Sequence, residues 1–332
     1  MIRCAVWGTG RAGVELVKAG LQRPWLQWVG AGVFDPAKEG ADLGELAGIS
    51  PLGVAATADI DGLLARDDID LVFYAGLGPE APLADRIEEI VRAGKDAVTV
   101  SGLIHPRTAL GEARAAQLHA ACVGNGKRAI GAGVNPGFLL DVLPAVWATC
   151  NVSFNTITAK RVSDMKTWGP GVHRDLGIGR RPDEFQLTET PMALDQSLMM
   201  IGDAVGLQFE RVDNTTTPFI VKSRREFRGE VVEPGTIGGY TRRSAGIVDG
   251  AERIVLDWTA VFGLTPEVDG IQEEGVIQID GDPWLEMRFK GGVFEDPYPA
   301  TAARGLAVVP GLLRMPPGLY DSAQVPIAAP AP

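Results

Sequence analysis

The stretch Cys4-Ala5-Val6-Trp7-Gly8-Thr9-Gly10-Arg11-Ala12-Gly13 places a short apolar run directly before a G-x-G-x-x-G turn. A helical pattern follows, so the stretch is typical of a strand, a tight turn and a helix. In such a unit Gly8 permits the turn, Gly10 lets the backbone approach a pyrophosphate, and Gly13 allows the helix to pack closely on the strand. The amino terminus of the helix then faces the phosphates. The pattern predicts a dinucleotide-binding turn formed by Gly8, Thr9, Gly10, Arg11, Ala12 and Gly13.

Four more apolar runs alternate with helical patterns in the first 137 residues; they are Trp28–Phe34, Leu71–Ala75, Ala97–Val100 and Arg128–Ala132. This alternation is typical of strand-helix-strand units, which build parallel sheets. We therefore expect an α/β fold in which residues 1–137 form a Rossmann-type parallel sheet that binds a dinucleotide.

The pattern changes in the second half of the chain. Asp249-Gly250 and Asp280-Gly281-Asp282-Pro283 each separate two strand-like runs, as hairpin turns do. Residues 138–299 are therefore predicted to form a second α+β domain on a largely antiparallel sheet. We expect residues 300–322 to form a carboxyl-terminal helix that packs back on the first domain, and residues 323–332 to be an irregular tail.

Composition narrows the class of protein. A length of 332 residues suggests about two domains, and 45% apolar residues are ordinary for a globular protein. The formal net charge of −11 argues against nucleic acid or an anionic membrane as a partner. There is no signal-peptide pattern or apolar run long enough to cross a bilayer, and the three cysteines, Cys4, Cys122 and Cys150, are widely spaced. We expect a cytoplasmic protein with reduced core thiols and no metal site.

Asp35 lies 22 residues beyond Gly13, directly after the apolar run Trp28–Phe34. A carboxylate there can accept hydrogen bonds from the adenosine ribose and would repel a 2′-phosphate, which favours NAD. Arg11 and Lys38 could both approach a 2′-phosphate, so NADP stays open, and Asp35 could also be a simple turn acid. Residues at the ends of later strands are expected to line the cofactor path, with plain loop roles as the alternative; these are Ala75, Gly76, Thr99 and Ser101.

A second glycine-rich segment follows the last strand of the first domain and reads Gly131-Ala132-Gly133-Val134-Asn135-Pro136-Gly137-Phe138. The side chain of Asn135 offers both a donor and an acceptor, which match a carboxamide. We expect Asn135 to contact the nicotinamide.

With this segment the chain resembles the dihydrodipicolinate reductase-like superfamily, and most closely its 2,4-diaminopentanoate dehydrogenase and native amine dehydrogenase branch. The resembling pieces are Gly8–Gly13, Gly131–Asp141, Arg161-Val162-Ser163-Asp164 and Asp296-Pro297-Tyr298-Pro299-Ala300-Thr301-Ala302-Ala303-Arg304. The resemblance implies an NAD(P)-dependent oxidoreductase that moves hydride between nicotinamide and a small ketone, imine or amine in a cleft between two domains. It also implies a homodimer with contacts in the second domain.

The chain departs from the branch at one segment. Amine dehydrogenases of the branch carry a Cys-Glu-Glu-Leu-like stretch after the fifth strand, where a glutamate handles the ammonium or iminium. This chain reads Val100-Ser101-Gly102-Leu103-Ile104-His105-Pro106, and neither Ser101 nor Gly102 supplies that charge. The departure argues against reductive amination with free ammonia. Two alternatives stay open, an alcohol-ketone or aldehyde oxidoreductase without nitrogen chemistry and a non-catalytic dinucleotide-binding sensor or scaffold.

Hydride transfer also needs a proton donor near the developing anion. His105 follows the fifth strand and is the first candidate, with a loop histidine bonded to backbone as the alternative. Lys166 and Asp164 are further catalytic candidates, because they begin a glycine-rich segment that could cover a substrate; a solvated surface lysine is the alternative. Expected substrate contacts are His105, Phe138, Trp168 and His173; a plain core role is the more common one for the aromatic residues among them.

Overall fold

The computed structural model describes residues 1–76, 78–187 and 194–326. It divides into two compact units, one made of Met1–Phe138 and Tyr298–Pro332 and the other of Leu139–Pro297. The first segment of the first unit alternates strands and helices: β1 (Ile2–Trp7), α1 (Arg11–Gly20), β2 (Leu26–Gly32), α2 (Leu43–Leu46), β3 (Ala56–Thr57), α3 (Ile60–Leu64), β4 (Leu71–Tyr74), α4 (Glu80–Arg92), β5 (Asp96–Thr99), α5 (Pro106–Gly124) and β6 (Arg128–Gly131).

The second unit is mainly strands. Its elements are α6 (Val142–Ala148), β7 (Ser153–Asp164), α7 (Pro170–Asp175), α8 (Asp195–Val205), β8 (Arg211–Ile220), β9 (Arg225–Phe227), β10 (Glu230–Val232), β11 (Ile237–Val248), β12 (Ala251–Val261), α9 (Pro266–Asp269), β13 (Glu274–Asp282) and β14 (Leu285–Phe289). The chain then returns to the first unit with α10 (Tyr298–Ala307), α11 (Val309–Leu312) and β15 (Gly318–Tyr320).

A seven-stranded parallel sheet in the order β15-β6-β5-β4-β1-β2-β3 forms the first unit. Successive side chains of β1 enter different cores: Val6 packs with the α1 and α10 side, and Ala5 and Trp7 pack with the α4 side. This two-sided burial explains why the strand is a continuous apolar run. Strand order reverses between β1 and β4, which is where such sheets bind ligands at their carboxyl edge.

A six-stranded sheet in the order β14-β13-β7-β12-β11-β8 forms the second unit, and β9 and β10 make a separate hairpin. All neighbours in the large sheet are antiparallel except β7 and β12. The fold is thus the predicted one, a parallel Rossmann-type sheet followed by an α+β unit on a largely antiparallel sheet. Asp249-Gly250 joins β11 to β12 with φ of 52° and 72°, as a two-residue hairpin turn requires.

The helix α8 covers one face of this sheet. Leu198 and Ile201 belong to the same buried cluster as Ile157, Ala159 and Leu256, which point to one face of β7 and β12. Within the described ranges, no helix has the length and hydropathy of a bilayer span.

The cysteines separate into two kinds. Cys4 and Cys122 are buried, and burial raises the pKa of both thiols, which makes them unreactive. Cys150 is exposed, because it lies in the turn after α6. The expectation of three core thiols is therefore wrong for Cys150.

Candidate functional site

The glycine turn after β1 has the shape that a dinucleotide needs. Gly8 has φ of 109°, and a Cβ there would lie 2.9 Å from the Ala75 carbonyl carbon. A Cβ at Gly13 would lie 1.8 Å from the Gly8 oxygen, whereas a Cβ at Gly10 would have no atom of the described residues within 4 Å. No side chain caps the amino terminus of α1, which begins at Arg11. The turn thus packs tightly against the protein at Gly8 and Gly13 and leaves space at Gly10. The backbone N–H groups at the start of α1 carry no side-chain cap, and such groups suit a pyrophosphate.

Asp35 and Lys38 flank this turn at the end of β2. The Asp35 carboxylate accepts the Ala37 N–H at 3.0 Å, so it is a turn acid as well as an exposed carboxylate. The Lys38 ammonium donates to the carbonyl oxygen and the hydroxyl of Thr9 at 3.2 and 3.4 Å. A negative and a positive side chain therefore lie side by side where the adenosine ribose is expected.

The neighbouring strands bring the other predicted cofactor residues to the same sheet edge. Ala75 and Gly76 follow β4, with Ala75 against Gly8, and Thr99 ends β5. The Ser101 N–H donates to the Thr99 hydroxyl at 3.1 Å, which turns the chain away from the strand. These residues form one edge beside the glycine turn.

Asn135 follows β6 at this edge and carries a buried acceptor that suits a carboxamide ligand. Its Oδ1 is buried and finds no hydrogen-bond partner among the described residues. A buried acceptor left unpaired costs about 1–3 kcal/mol, so a bound donor such as a carboxamide NH₂ would satisfy it. The glycines around it serve the turn itself, since a Cβ at Gly133 would lie 2.7 Å from the Pro136 oxygen and one at Gly137 would lie 2.4 Å from the Gly133 nitrogen.

His105 lies just before α5 and is 2% exposed. Its Nδ1 is 2.8 Å from the Thr108 hydroxyl, which fixes the orientation of the ring. The second histidine of this unit, His119, accepts the Leu319 N–H at 3.2 Å and so connects α5 to β15. His105 thus directly precedes α5, while His119 connects two elements of the first unit.

Asp164 and Lys166 satisfy each other in the second unit. The Lys166 ammonium is 2.8 Å from the Asp164 carboxylate, which is 2% exposed and also accepts the N–H groups of Lys166 and Gly263. Burial alone would lower the pKa of Lys166, but the hydrogen bond and the charge of Asp164 outweigh it and hold that pKa above its ordinary value. Lys166 therefore keeps its proton at neutral pH.

The aromatic residues predicted to contact substrate divide between the two units. Phe138 belongs to the first, with the Arg304 guanidinium 5.3 Å above its ring. His173 belongs to the second, where its Nδ1 is 2.9 Å from the Glu230 carboxylate and its Nε2 is 2.9 Å from the Met165 oxygen. Both nitrogens of His173 are thus already engaged within its own unit.

Arg161 has chemically unusual surroundings, and the sequence did not predict them. It is 2% exposed, its carbon Cζ lies 5.3 Å from the Trp258 ring and 5.5 Å from the Phe294 ring, and it has no carboxylate partner among the residues described. Its Nη1 is buried and has no acceptor in the described parts of the chain, and the same holds for the ring N–H groups of Trp168 and Trp258, whose rings are 5.6 Å apart. Burial lowers the pKa of Arg161 to about 9. The sequence signal for this burial was the position of Arg161, which lies between Ala159 and Ser163 on the inward face of β7.

A second missed residue is Glu80, the first residue of α4. Its Oε2 accepts the Leu103 N–H at 3.2 Å. A Cβ at Gly102 would lie 2.8 and 2.9 Å from the two carboxylate oxygens. The signal was its place just beyond the carboxyl end of β4, close to residues already assigned to the cofactor.

The chain is similar to several known proteins. The chain is 29% identical to an amine dehydrogenase of Streptomyces virginiae, over 98% of this chain and 97% of that protein. It is 26% identical to the 2,4-diaminopentanoate dehydrogenase of Acetoanaerobium sticklandii, over 61% of this chain and 58% of that protein. The fold matches the structure of an amine dehydrogenase from Mycobacterium smegmatis with a TM-score of 0.86 at 21% identity, covering 99% and 97% of the two chains.

The resemblance found in the sequence is thereby confirmed. Residues 138–331, more than half of the chain, match the family described as the 2,4-diaminopentanoate dehydrogenase C-terminal domain. The chain belongs to this family.

Proposed function

We propose that the protein is an NAD(P)-dependent oxidoreductase that moves hydride between nicotinamide and a small amine, imine or ketone. The observation that carries the proposal is the sheet edge that begins at the open glycine turn after β1 and ends at the unpaired Oδ1 of Asn135 after β6. The names of the two curated relatives, an amine dehydrogenase and a 2,4-diaminopentanoate dehydrogenase, support nitrogen-bearing substrates.

A bound dinucleotide would supply the carbon that gives or takes the hydride. The protein's own residues would hold it: the Gly8–Gly13 turn and the start of α1 at the pyrophosphate, Asp35 at the adenosine ribose, and Asn135 at the carboxamide. Asp35 favours NAD, whereas Lys38, already against the turn at Thr9, keeps NADP within reach. His105 is the proposed proton donor, since it follows β5 in the chain and the Thr108 hydroxyl fixes the orientation of its ring.

One further candidate has a specific observation behind it. Ser101 and Gly102 place no carboxylate directly after β5, which favours reduction of a ketone or aldehyde without ammonia. The substrate would then be neutral, and the proton for the developing alkoxide would come from His105.

A nicotinamide absorbance assay tests both candidate functions together. Purified protein is mixed with NADH or NADPH and a panel of small ketones, with and without ammonium, and with NAD⁺ and small amines for the reverse direction. Ammonium-dependent oxidation of NADH supports amine chemistry, and ammonium-independent oxidation supports the second candidate. Cofactor binding without any turnover would contradict both and leave a dinucleotide-binding sensor.

A further inference from the structure

The Glu80 carboxylate has a defined position near the carboxyl edge of the parallel sheet. It is half-buried, and the Leu103 N–H donates to its Oε2 at 3.2 Å. A side chain at position 102 would collide with it, because even a Cβ would lie 2.8 Å from Oε2 and 2.9 Å from Oε1. Gly102 therefore leaves room for a carboxylate that comes from a different element, the start of α4.

The Glu80 carboxylate lies in the half of the sheet where the nicotinamide is expected. Glu80 begins the helix after β4, Gly102 follows β5, and these two strands lie between β1 and β6 in the sheet. The glycine turn follows β1 and Asn135 follows β6. Because a dinucleotide crosses such a sheet from one half to the other, the groups after β4, β5 and β6 surround the reacting end.

A carboxylate at this place suits one kind of substrate. When an amine is oxidised, the hydride leaves its carbon for the nicotinamide while the nitrogen lone pair forms the C=N bond. The nitrogen then carries the positive charge that the oxidised cofactor has lost. A fixed carboxylate stabilises that charge in a site with little water, and the two oxygens of a carboxylate together can accept about four hydrogen bonds.

We propose that Glu80 is the substrate-binding carboxylate of this enzyme, accepting hydrogen bonds from the ammonium or iminium nitrogen and balancing its charge. The proposal rests on the proposed oxidoreductase function and deepens it toward amines. It also resolves the apparent lack of an acid in Val100–Pro106, since the segment after β5 supplies the space and α4 supplies the charge.

Dead-end complexes test the proposal without turnover. Binding of sec-butylamine to the enzyme–NADH complex and of butanone to the enzyme–NAD⁺ complex is measured by calorimetry. In Glu80→Gln, which keeps an acceptor for Leu103, we expect amine affinity to fall by about 10- to 100-fold, the worth of a hydrogen bond to a charged group. Butanone and NADH affinities should stay within about threefold, because neither ligand relies on the charge. Glu80→Asp should recover part of the amine affinity.

Two further variants separate charge from structure. Asp85→Asn removes a carboxylate from the same helix, one that pairs with Arg114 at 2.7 Å on the surface, and should leave amine binding unchanged. Gly102→Ala should reduce amine affinity as Glu80→Gln does, because its methyl group displaces the carboxylate. Steady-state kinetics should then show a loss of kcat/KM for amines with Glu80→Gln and little change for ammonium-independent reduction of butanone.

The outcomes are distinct. Equal amine affinity in the wild type and Glu80→Gln overturns the role of Glu80, and so does a wild-type complex that binds no amine. If the wild type still reduces ketones in either case, the oxidoreductase function survives. Failure of the wild type to bind either dinucleotide would overturn the proposed function itself.

Discussion

At the scale of single residues, Gly10 and Gly13 lie three positions apart and have opposite surroundings. A Cβ at Gly13 would lie inside the contact radius of the Gly8 oxygen, which is backbone and cannot move away cheaply. A Cβ at Gly10 would enter open space above the start of α1. One position thus serves the fold and the other serves the ligand.

Gly13→Ala and Gly10→Ala should therefore fail in different assays. Gly13→Ala forces helix and turn apart, and we expect a loss of about 1–3 kcal/mol in the free energy of unfolding, measured by urea denaturation. Gly10→Ala should unfold at the wild-type urea concentration but bind NADH at least about tenfold more weakly, because its methyl group occupies the approach to the pyrophosphate. Tight NADH binding by Gly10→Ala would contradict the assignment of this turn.

His105 and His119 form a second pair for comparison. His105→Asn should lower turnover by at least about 100-fold if the histidine donates the proton, with little change in cofactor affinity. His119→Asn removes a ring whose one hydrogen bond to a described residue is with the N–H of Leu319, so turnover should stay near that of the wild type. A loss below about tenfold for His105→Asn would assign the ring to structure, through its contact with the Thr108 hydroxyl.

Arg161 is a buried cation with no carboxylate beside it among the described residues, so it costs stability. Burial lowers its pKa well below the ordinary value for arginine, to about 9, which means that the folded state disfavours the charged form. The cost is fully present below about pH 9 and decreases as the pH rises from there toward the ordinary pKa of arginine, where the unfolded chain also loses the proton.

Arg161→Met should therefore be more stable than the wild type by at least about 1 kcal/mol near neutral pH, and the gain should shrink above about pH 9. Urea denaturation at two pH values measures both effects. Arg243→Met is the matched control, because Arg243 is a half-exposed strand residue paired with Glu252 at 2.7 Å, and its effect should stay within about 0.5 kcal/mol. A less stable Arg161→Met would show that the stacking on Trp258 and Phe294 exceeds the cost of burial.

At the scale of elements, the sequence predicted those whose signal is local. The apolar run Leu71–Ala75 is β4, Arg128–Ala132 is β6, and Asp249-Gly250 is a hairpin turn. The three-residue strand β15 was not predicted, because Gly318–Tyr320 gains its strand conformation only by pairing with β6. The parallel contact of β7 with β12 likewise depends on strands about 95 residues apart, which no local pattern encodes.

The candidate site divides in the same way. The glycine turn and Asp35 follow from spacing along the chain, and Asn135 from its place after a strand. Glu80 was not assigned, because its approach to Gly102 joins two loops 22 residues apart that meet only in the folded sheet. Arg161 was noted only within a resembling segment, because its lack of an acidic partner is a property of the packed core.

A buried ion pair joins β9 to the loop around α9. The Nη2 atom of Arg225 is 2.5 Å from the Oδ1 atom of Asp269, and the two side chains are 2% and 0% exposed. The Oδ2 atom of Asp269 also accepts the Thr265 N–H at 2.8 Å. Asp269→Asn leaves the guanidinium buried without its counter-charge, so we expect a loss of about 3–5 kcal/mol in the free energy of unfolding. Glu252→Gln, which breaks the exposed pair with Arg243, should cost less than about 1 kcal/mol. Similar losses for the two variants would contradict this view of burial.

At the scale of the whole molecule, the first unit is made of two chain segments separated by the entire second unit. The carboxyl-terminal segment contributes Ala302, Leu306 and Leu312 to the same buried cluster as Leu16 of α1. It also adds β15 to the sheet edge, and the Ser322 hydroxyl donates to the Gly131 oxygen at 2.7 Å, next to the Asn135 turn. The dinucleotide-binding unit is thus incomplete until the last part of the chain is present.

Two truncated chains test this dependence. Residues 1–138 alone expose the α1 side of the sheet and should neither fold cooperatively nor bind NADH. Residues 1–138 joined to 298–332 by a flexible Gly/Ser linker restore α10, α11 and β15, so this chain should melt cooperatively and bind NADH, as measured by calorimetry. Because ordering the linker adds only a slowly growing entropy cost, its length should matter little once it can span the two ends. NADH binding by residues 1–138 alone, with an affinity equal to that of the joined chain, would show that the first segment is sufficient by itself.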